Sequence, residues 1–152
     1  MDPTTVRLFP LIRRISARVS PVIVQLPVTA NQVTAASLAV GLAACWGLLQ
    51  GGFSWTLGGA TLFTLCYILD NCDGEVARFK NQTSGFGDKF DTFVDWVVHA
   101  GFFAALGAGV AKESGNDLWL WLGFIAAAGG TINYFIGVAV DARLRLETGD
   151  AP

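Results

Sequence analysis

The chain has 152 residues, one domain's worth, with a mean hydropathy of +0.50 and 14% charged residues, well below the roughly 25% charge of soluble domains. A formal net charge of -2 with no basic patch excludes a nucleic-acid-binding module. Cys45, Cys66 and Cys72 have neither an even count nor metal-ligand spacing, which leaves them as small packing residues.

The basic residues of the first twenty positions are not followed by the apolar run and small-residue cleavage site of a signal peptide, so the N-terminus is expected to stay cytoplasmic. From Pro10 to Ser20, Leu11, Ile12, Ile15 and Val19 share one helical face, with Arg14 and Arg18 on another. Such a segment directly before a membrane span is expected to lie along the membrane surface as an amphipathic helix, broken by Pro21 and Pro27. Residues 1–30 thus form an interfacial segment.

No Asp, Glu, Lys or Arg occurs between Arg18 and Asp70. A first span is expected from Asn31 to Leu49, about the 20 residues needed to cross hydrocarbon. Gly51, Gly52 and Phe53 make a short turn. The second helix starts near Ser54, is uncharged through Leu69 and continues in pattern to Lys80, about 27 residues or ~40 Å. After a polar loop at Asn81–Gly85, a third helix carries Asp88, Asp91 and Asp95 and becomes apolar from Trp96 to Ala111. A polar loop at Lys112–Asp117, an uncharged fourth span at Leu118–Val140 and a charged tail at Asp141–Pro152 complete the chain. The expectation is an all-α transmembrane bundle of four spans, with residues 31–140 as the catalytic domain.

Orientation follows from the basic residues. Arg7, Arg13, Arg14, Arg18, Arg78, Lys80, Lys89, Arg143 and Arg145 fall on one side and Lys112 alone on the other. This distribution places both termini and the aspartates in the cytoplasm. Trp55, Trp119 and Trp121 then sit at the outer interface. Gly101, Ala105 and Gly109, spaced by four, permit close approach of another helix, either within the bundle or across a homodimer.

Six of the twelve acidic residues lie between Asp70 and Asp95. Asp70 and Asp73 are i and i+3, and Asp91 and Asp95 are i and i+4, so each pair projects from one helical face. Four converging carboxylates with few cations nearby repel one another unless divalent ions intervene. Oxygen-only ligands suit Mg²⁺, Mn²⁺ or Ca²⁺ rather than zinc, and Mg²⁺ commonly joins carboxylates to substrate phosphate. Gly74 and Gly87 clear space for a nucleotide or simply pack helices, and Arg78 adds a cation.

Asp70 to Arg78 reads DxxDGxxAR, and after eight residues Gly87, Asp91 and Asp95 complete GxxxDxxxD. This run of eight fixed identities resembles the signature of the CDP-alcohol phosphotransferases. The resemblance implies that Asp70, Asp73, Asp91 and Asp95 hold two divalent cations, Mg²⁺ or Mn²⁺, with Asp95 as general base. It also implies that Gly74, Ala77, Arg78 and Gly87 bind the CDP moiety. Thr29 to Thr34, TANQVT, is similar to that family's PNxxT entry to the first span, with Ala30 in place of proline, and adds Asn31 and Thr34 to the nucleotide site. Capping of the span by Thr29 or Asn31 is the alternative.

The implied reaction moves a substituted phosphate from a CDP-linked lipid donor, expected to be CDP-diacylglycerol, to an alcohol acceptor and releases CMP, as in phospholipid biosynthesis. The family usually has about six spans, so truncation is part of the expectation. Two rivals were weighed. An aspartate-rich intramembrane prenyltransferase does not explain the glycine and arginine spacing, and a non-enzymatic cation path needs acids distributed across the membrane. Outside the signature, His99 lies one turn beyond Asp95 and within reach of it, while Glu75 and Asp88 are expected to be solvated or supporting. Thr131 and Asn133 are expected to bond between helices.

Overall fold

The computed structural model describes residues 10–148, which form five α-helices and no strand among the described residues. Arg7 lies outside the described residues, as do the end of the tail and the side chains of Leu11, Arg13 and Arg145. The helices are α1 (Pro10–Val24), α2 (Ala30–Gln50), α3 (Phe53–Phe79), α4 (Gly85–Ser114) and α5 (Leu118–Thr148).

Three of them, α2, α4 and the Leu118–Leu144 stretch of α5, are long and apolar enough to cross a membrane, the mark of an integral membrane protein. The fourth expected crossing, α3, is 27 residues long but carries Asp70, Asp73, Glu75 and several threonines and glycines, so its apolarity falls short. It runs back along α2 after a turn of two residues, Gly51 and Gly52, whose φ of 71° and 82° favours glycine. The Glu113 carboxylate accepts the Gly52 N–H at 3.1 Å and ties this turn to the far end of α4.

Three boundaries differ from expectation. Helix α1 passes through Pro21 and ends at Val24, because a proline near the last turn removes only one backbone bond. Lys112 lies in the last turn of α4 rather than in a loop, and Gly115, at φ 66°, caps that helix. The charged tail continues α5 to Thr148, helped by an Arg143–Glu147 pair at 3.1 Å.

Without a hydrophobic force between helices in lipid, close packing holds a bundle together, and small residues permit it. A Cβ on Gly109 would collide with the Leu48 carbonyl, one on Gly101 would lie 3.2 Å from Cys45 Sγ, and Ala105 is buried against Leu48 and Cys45. The small-residue stripe of α4 is therefore used against α2 within the chain. Gly107 and Gly123 make the corresponding contact between α4 and α5. Cys66, Val94 and Val98 fill the α3–α4 seam, and all three cysteines are buried and free, as packing residues should be. Thr131 accepts from Trp96 Nε1 at 3.1 Å, an interhelical bond of the expected kind.

Helix α1 packs on α3. Ser16 and Ser20 are buried there, Ser16 donates to Glu75 at 3.3 Å, and Arg14 and Arg18 face away. Glu75 thus supports the α1–α3 contact. Antiparallel packing gathers the start of α2, the end of α3 and the start of α4 at one end of the bundle. Trp55, Trp119 and Trp121 are exposed at the other.

Candidate active site

The site is built where α2, α3 and α4 meet. Thr29 caps α2 in a reciprocal arrangement: its hydroxyl accepts the Gln32 N–H at 3.3 Å and the Gln32 side chain accepts the Thr29 N–H at 2.9 Å. Thr29, not Asn31, is therefore the cap, which leaves the Asn31 side chain free to line the site. Helix α3 ends in a loop that turns at Asn81, φ 54°, and α4 begins with Ser84, whose hydroxyl accepts the Gly87 N–H at 3.0 Å.

These elements enclose a polar pocket with an empty volume of about 340 Å³. Five of the six residues implied for the nucleotide line it: Asn31, Thr34, Gly74, Ala77 and Gly87. Arg78 is exposed at its edge, with Nη1 3.5 Å from where a Gly74 Cβ would lie. Asp73 and Asp91 form the acidic wall, and Asp88, read as solvated or supporting, is exposed but also reaches the lining. The two signature glycines differ. A Cβ on Gly87 would sit 3.2 Å from both Asn31 Oδ1 and Ser84 Oγ, whereas one on Gly74 would meet only Arg78 at ordinary contact.

Sequence reasoning missed the 82–84 loop, where Gln82, Thr83 and Ser84 complete the wall. Gln82 accepts the Ala30 N–H at 2.9 Å, and Lys80 Nζ donates to the Leu26 and Val28 carbonyls at 2.7 Å each. The α1–α2 link is thereby tied to the end of α3. Only the density of polar residues after Phe79 hinted at this.

Three of the four acids meet most closely. One carboxylate oxygen each from Asp70, Asp73 and Asp91 lies within 4.8 Å of the others, and Asp95 is not in that group. Thr34 Oγ1 donates to Asp73 Oδ2 at 2.5 Å, fixing that carboxylate. Among the described residues Asp91 Oδ1 is buried with no hydrogen-bond partner. A buried, unpaired carboxylate oxygen beside two other acids is costly unless a cation meets it. The all-oxygen set therefore fits a hard divalent ion.

Asp95 lines a second, largely apolar pocket between α3 and α4, with Phe63, Cys66, Val94 and Val98 as its greasy lining and Asp70, Tyr67 and His99 as its polar members. His99 was expected within reach of Asp95. Its Nδ1 bonds the Asp95 main-chain oxygen at 2.8 Å and lies 3.7 Å from the carboxylate. Asp70 borders both the trio and this second pocket.

Comparison with known proteins agrees with this geometry. The family model for CDP-alcohol phosphatidyltransferase matches residues 27–142. Proteins named "Bifunctional IPC transferase and DIPP synthase" are similar. The one from Thermococcus kodakarensis is 35% identical over 117 residues, 77% of this chain and 25% of the relative. That from Aquifex aeolicus is 38% identical over 94 residues, 62% of this chain and 21% of the relative. That from Rubrobacter xylanophilus is 36% identical over 119 residues, 78% and 26%. The chain spans about a quarter of the length of these curated relatives. With the matched segment running from the residues before α2 into α5 and holding the whole signature, the chain belongs to the CDP-alcohol phosphatidyltransferase family.

Proposed function

We propose that the protein transfers a substituted phosphate from a CDP-linked lipid donor, CDP-diacylglycerol, to the hydroxyl of an alcohol acceptor and releases CMP. The observation that carries this reading is the polar pocket, in which three signature positions, Gly74, Ala77 and Gly87, lie with Asn31 and Thr34 beside Asp73 and Asp91. In it Asn31, Thr34, Gly74, Ala77 and Gly87 bind the cytidine diphosphate, and Arg78 at the edge adds charge to a phosphate. Asp70, Asp73 and Asp91, with Asp95 completing the set, hold two divalent cations, Mg²⁺ or Mn²⁺. Such ions neutralise a diphosphate and its leaving group when bound. Asp95, which lines the second pocket, takes the acceptor's proton as its oxygen attacks phosphorus. The proton passes to a carboxylate, the P–O bond to CMP breaks, and no covalent enzyme intermediate is needed.

The basic asymmetry supports a cytoplasmic site and cytoplasmic termini. The relatives' names pair an IPC transferase with a DIPP synthase on much longer chains, and the proposal takes from them transferase activity alone, with the CDP-linked donor drawn from the family. The direct test is CMP release by the purified protein in nanodiscs, with CDP-diacylglycerol, Mg²⁺ and a panel of glycerol phosphate, inositol phosphate, serine and choline. Release that depends on donor, acceptor and metal together is expected. Metal-dependent cleavage of a prenyl diphosphate, without CMP release from any CDP-linked donor, would overturn it.

A further inference from the structure

We propose that His99 is a recognition residue for the acceptor: its Nε2 accepts a hydrogen bond from a second hydroxyl of the alcohol, so the site takes diols and polyols in preference to simple alcohols. This rests on the transferase reading above. The argument starts from the ring's tautomer. Nδ1 lies 2.8 Å from the Asp95 carbonyl oxygen, and a carbonyl only accepts, so Nδ1 carries the proton. The Asp95 carboxylate, 3.7 Å away, is too far to compete for it. In the neutral ring the lone pair then belongs to Nε2.

Phe63 packs edge-on against the ring, with centroids 5.9 Å apart and planes at 84°, which steadies the imidazole without offering a donor. Among the described residues Nε2 makes no hydrogen bond. The His99 side chain is 45% exposed, so a ligand at the second pocket can reach that nitrogen. Asp95 and His99 are i and i+4 on one face of α4, one turn apart. A molecule presenting its reacting hydroxyl to Asp95 therefore brings a neighbouring hydroxyl toward His99.

The experiment compares acceptors that differ by one hydroxyl: glycerol phosphate against propanediol phosphate, and inositol phosphate against a singly deoxygenated analogue. The protein is studied in nanodiscs with CDP-diacylglycerol. His99→Leu should raise the KM for the fully hydroxylated member up to about tenfold, the scale of one lost hydrogen bond, and leave the deoxygenated member and the donor KM unchanged. His99→Gln, whose side-chain oxygen reaches the Nε2 position, should restore recognition. His99→Asn, which replaces only Nδ1, should not. Calorimetric binding of the same phosphates without donor should show the same pattern. Equal loss for both members of a pair overturns the proposal, as does turnover confined to choline while the transferase reading stands. CMP release with no acceptor in the panel removes that reading and this one together.

Discussion

The pocket between α2 and the 82–84 loop and the pocket between α3 and α4 border one acidic cluster but are enclosed by different chemistry. The first is walled by glycines, short polar side chains and a helix start, a surface to which a charged, hydrogen-bonding group can approach the backbone. The second is walled by Phe63, Cys66, Val94 and Val98, with Tyr67, Asp70, Asp95 and His99 as its polar groups. The signature supplies Asp73, Gly74, Ala77, Gly87 and Asp91 of the first. It reaches the second only through Asp70 and Asp95. Donor binding should therefore follow changes in the first pocket, and acceptor chemistry changes in the second.

The largest effect should come where the two pockets share a wall. Asp91→Ala or Asp70→Ala removes one of three acids gathered within 4.8 Å and should abolish detectable CMP formation together with the rise in Tm caused by Mg²⁺. Without metal the same variants should be as stable as the parent or more so, because each lost carboxylate relieves repulsion. Melting curves with and without Mg²⁺ check both halves. Full turnover with unchanged metal dependence would sink the carboxylate site.

Next in size is Asp95→Asn, which separates the two pockets. It keeps size and one oxygen but no basic carboxylate. Turnover should fall at least ~100-fold, while calorimetry with Mg²⁺ should still show the CDP-linked donor binding. Loss of donor binding would instead make Asp95 chiefly a metal ligand and erase the distinction between the pockets.

The glycines test the first pocket alone. Gly87→Val puts atoms into the gap between Asn31 Oδ1 and Ser84 Oγ, each already 3.2 Å from a Cβ, and should weaken donor binding about tenfold by loss of fit and of the α4 cap. Gly74→Ala meets nothing but Arg78 at ordinary distance. Its melting temperature should not fall, since alanine also favours the helix, yet its donor KM should rise. Unchanged donor binding in Gly74→Ala would mean that the nucleotide does not approach α3 at this point.

The frame was legible because it rests on local rules. An uncharged run of span length, two glycines and a second run give α2 and α3 within a residue or two, and nothing competes with that pattern. The convergence of Asp70, Asp73 and Asp91 was legible from i+3 and i+4 spacing on two adjacent helices. How closely Asp95 approaches them was not, because it depends on how α3 and α4 cross. Polarity misled at the ends: charge at Asp141–Thr148 and Lys112 was read as loop, although alanine, arginine and leucine continue a helix well. The bonds from Lys80 to Leu26 and Val28 span more than fifty residues, a distance over which no local pattern reports.

The smallest predicted effect concerns how the first pocket fixes its own acid. Thr34 is buried, and its hydroxyl lies 2.5 Å from Asp73 Oδ2 and 3.2 Å from the Ala30 carbonyl. A hydroxyl has one proton, so the two acceptors compete, and the shorter, charge-assisted contact to the carboxylate should hold it. Thr34→Val keeps the shape and removes that proton, leaving Asp73 short of a partner at a cost of about 1–3 kcal/mol. A bound divalent ion compensates part of that loss. The variant should therefore bind Mn²⁺ only a few-fold more weakly, with its metal-free Tm lowered and most of the difference recovered at saturating metal. Thr34→Ser, which restores the hydroxyl, should return metal affinity to within about twofold of the parent. Mn²⁺ titrations read alongside melting curves can make this comparison. If serine fails to rescue while valine and serine lose stability equally, Thr34 acts through its methyl group, and the orientation of Asp73 must come from the fold of α3 alone.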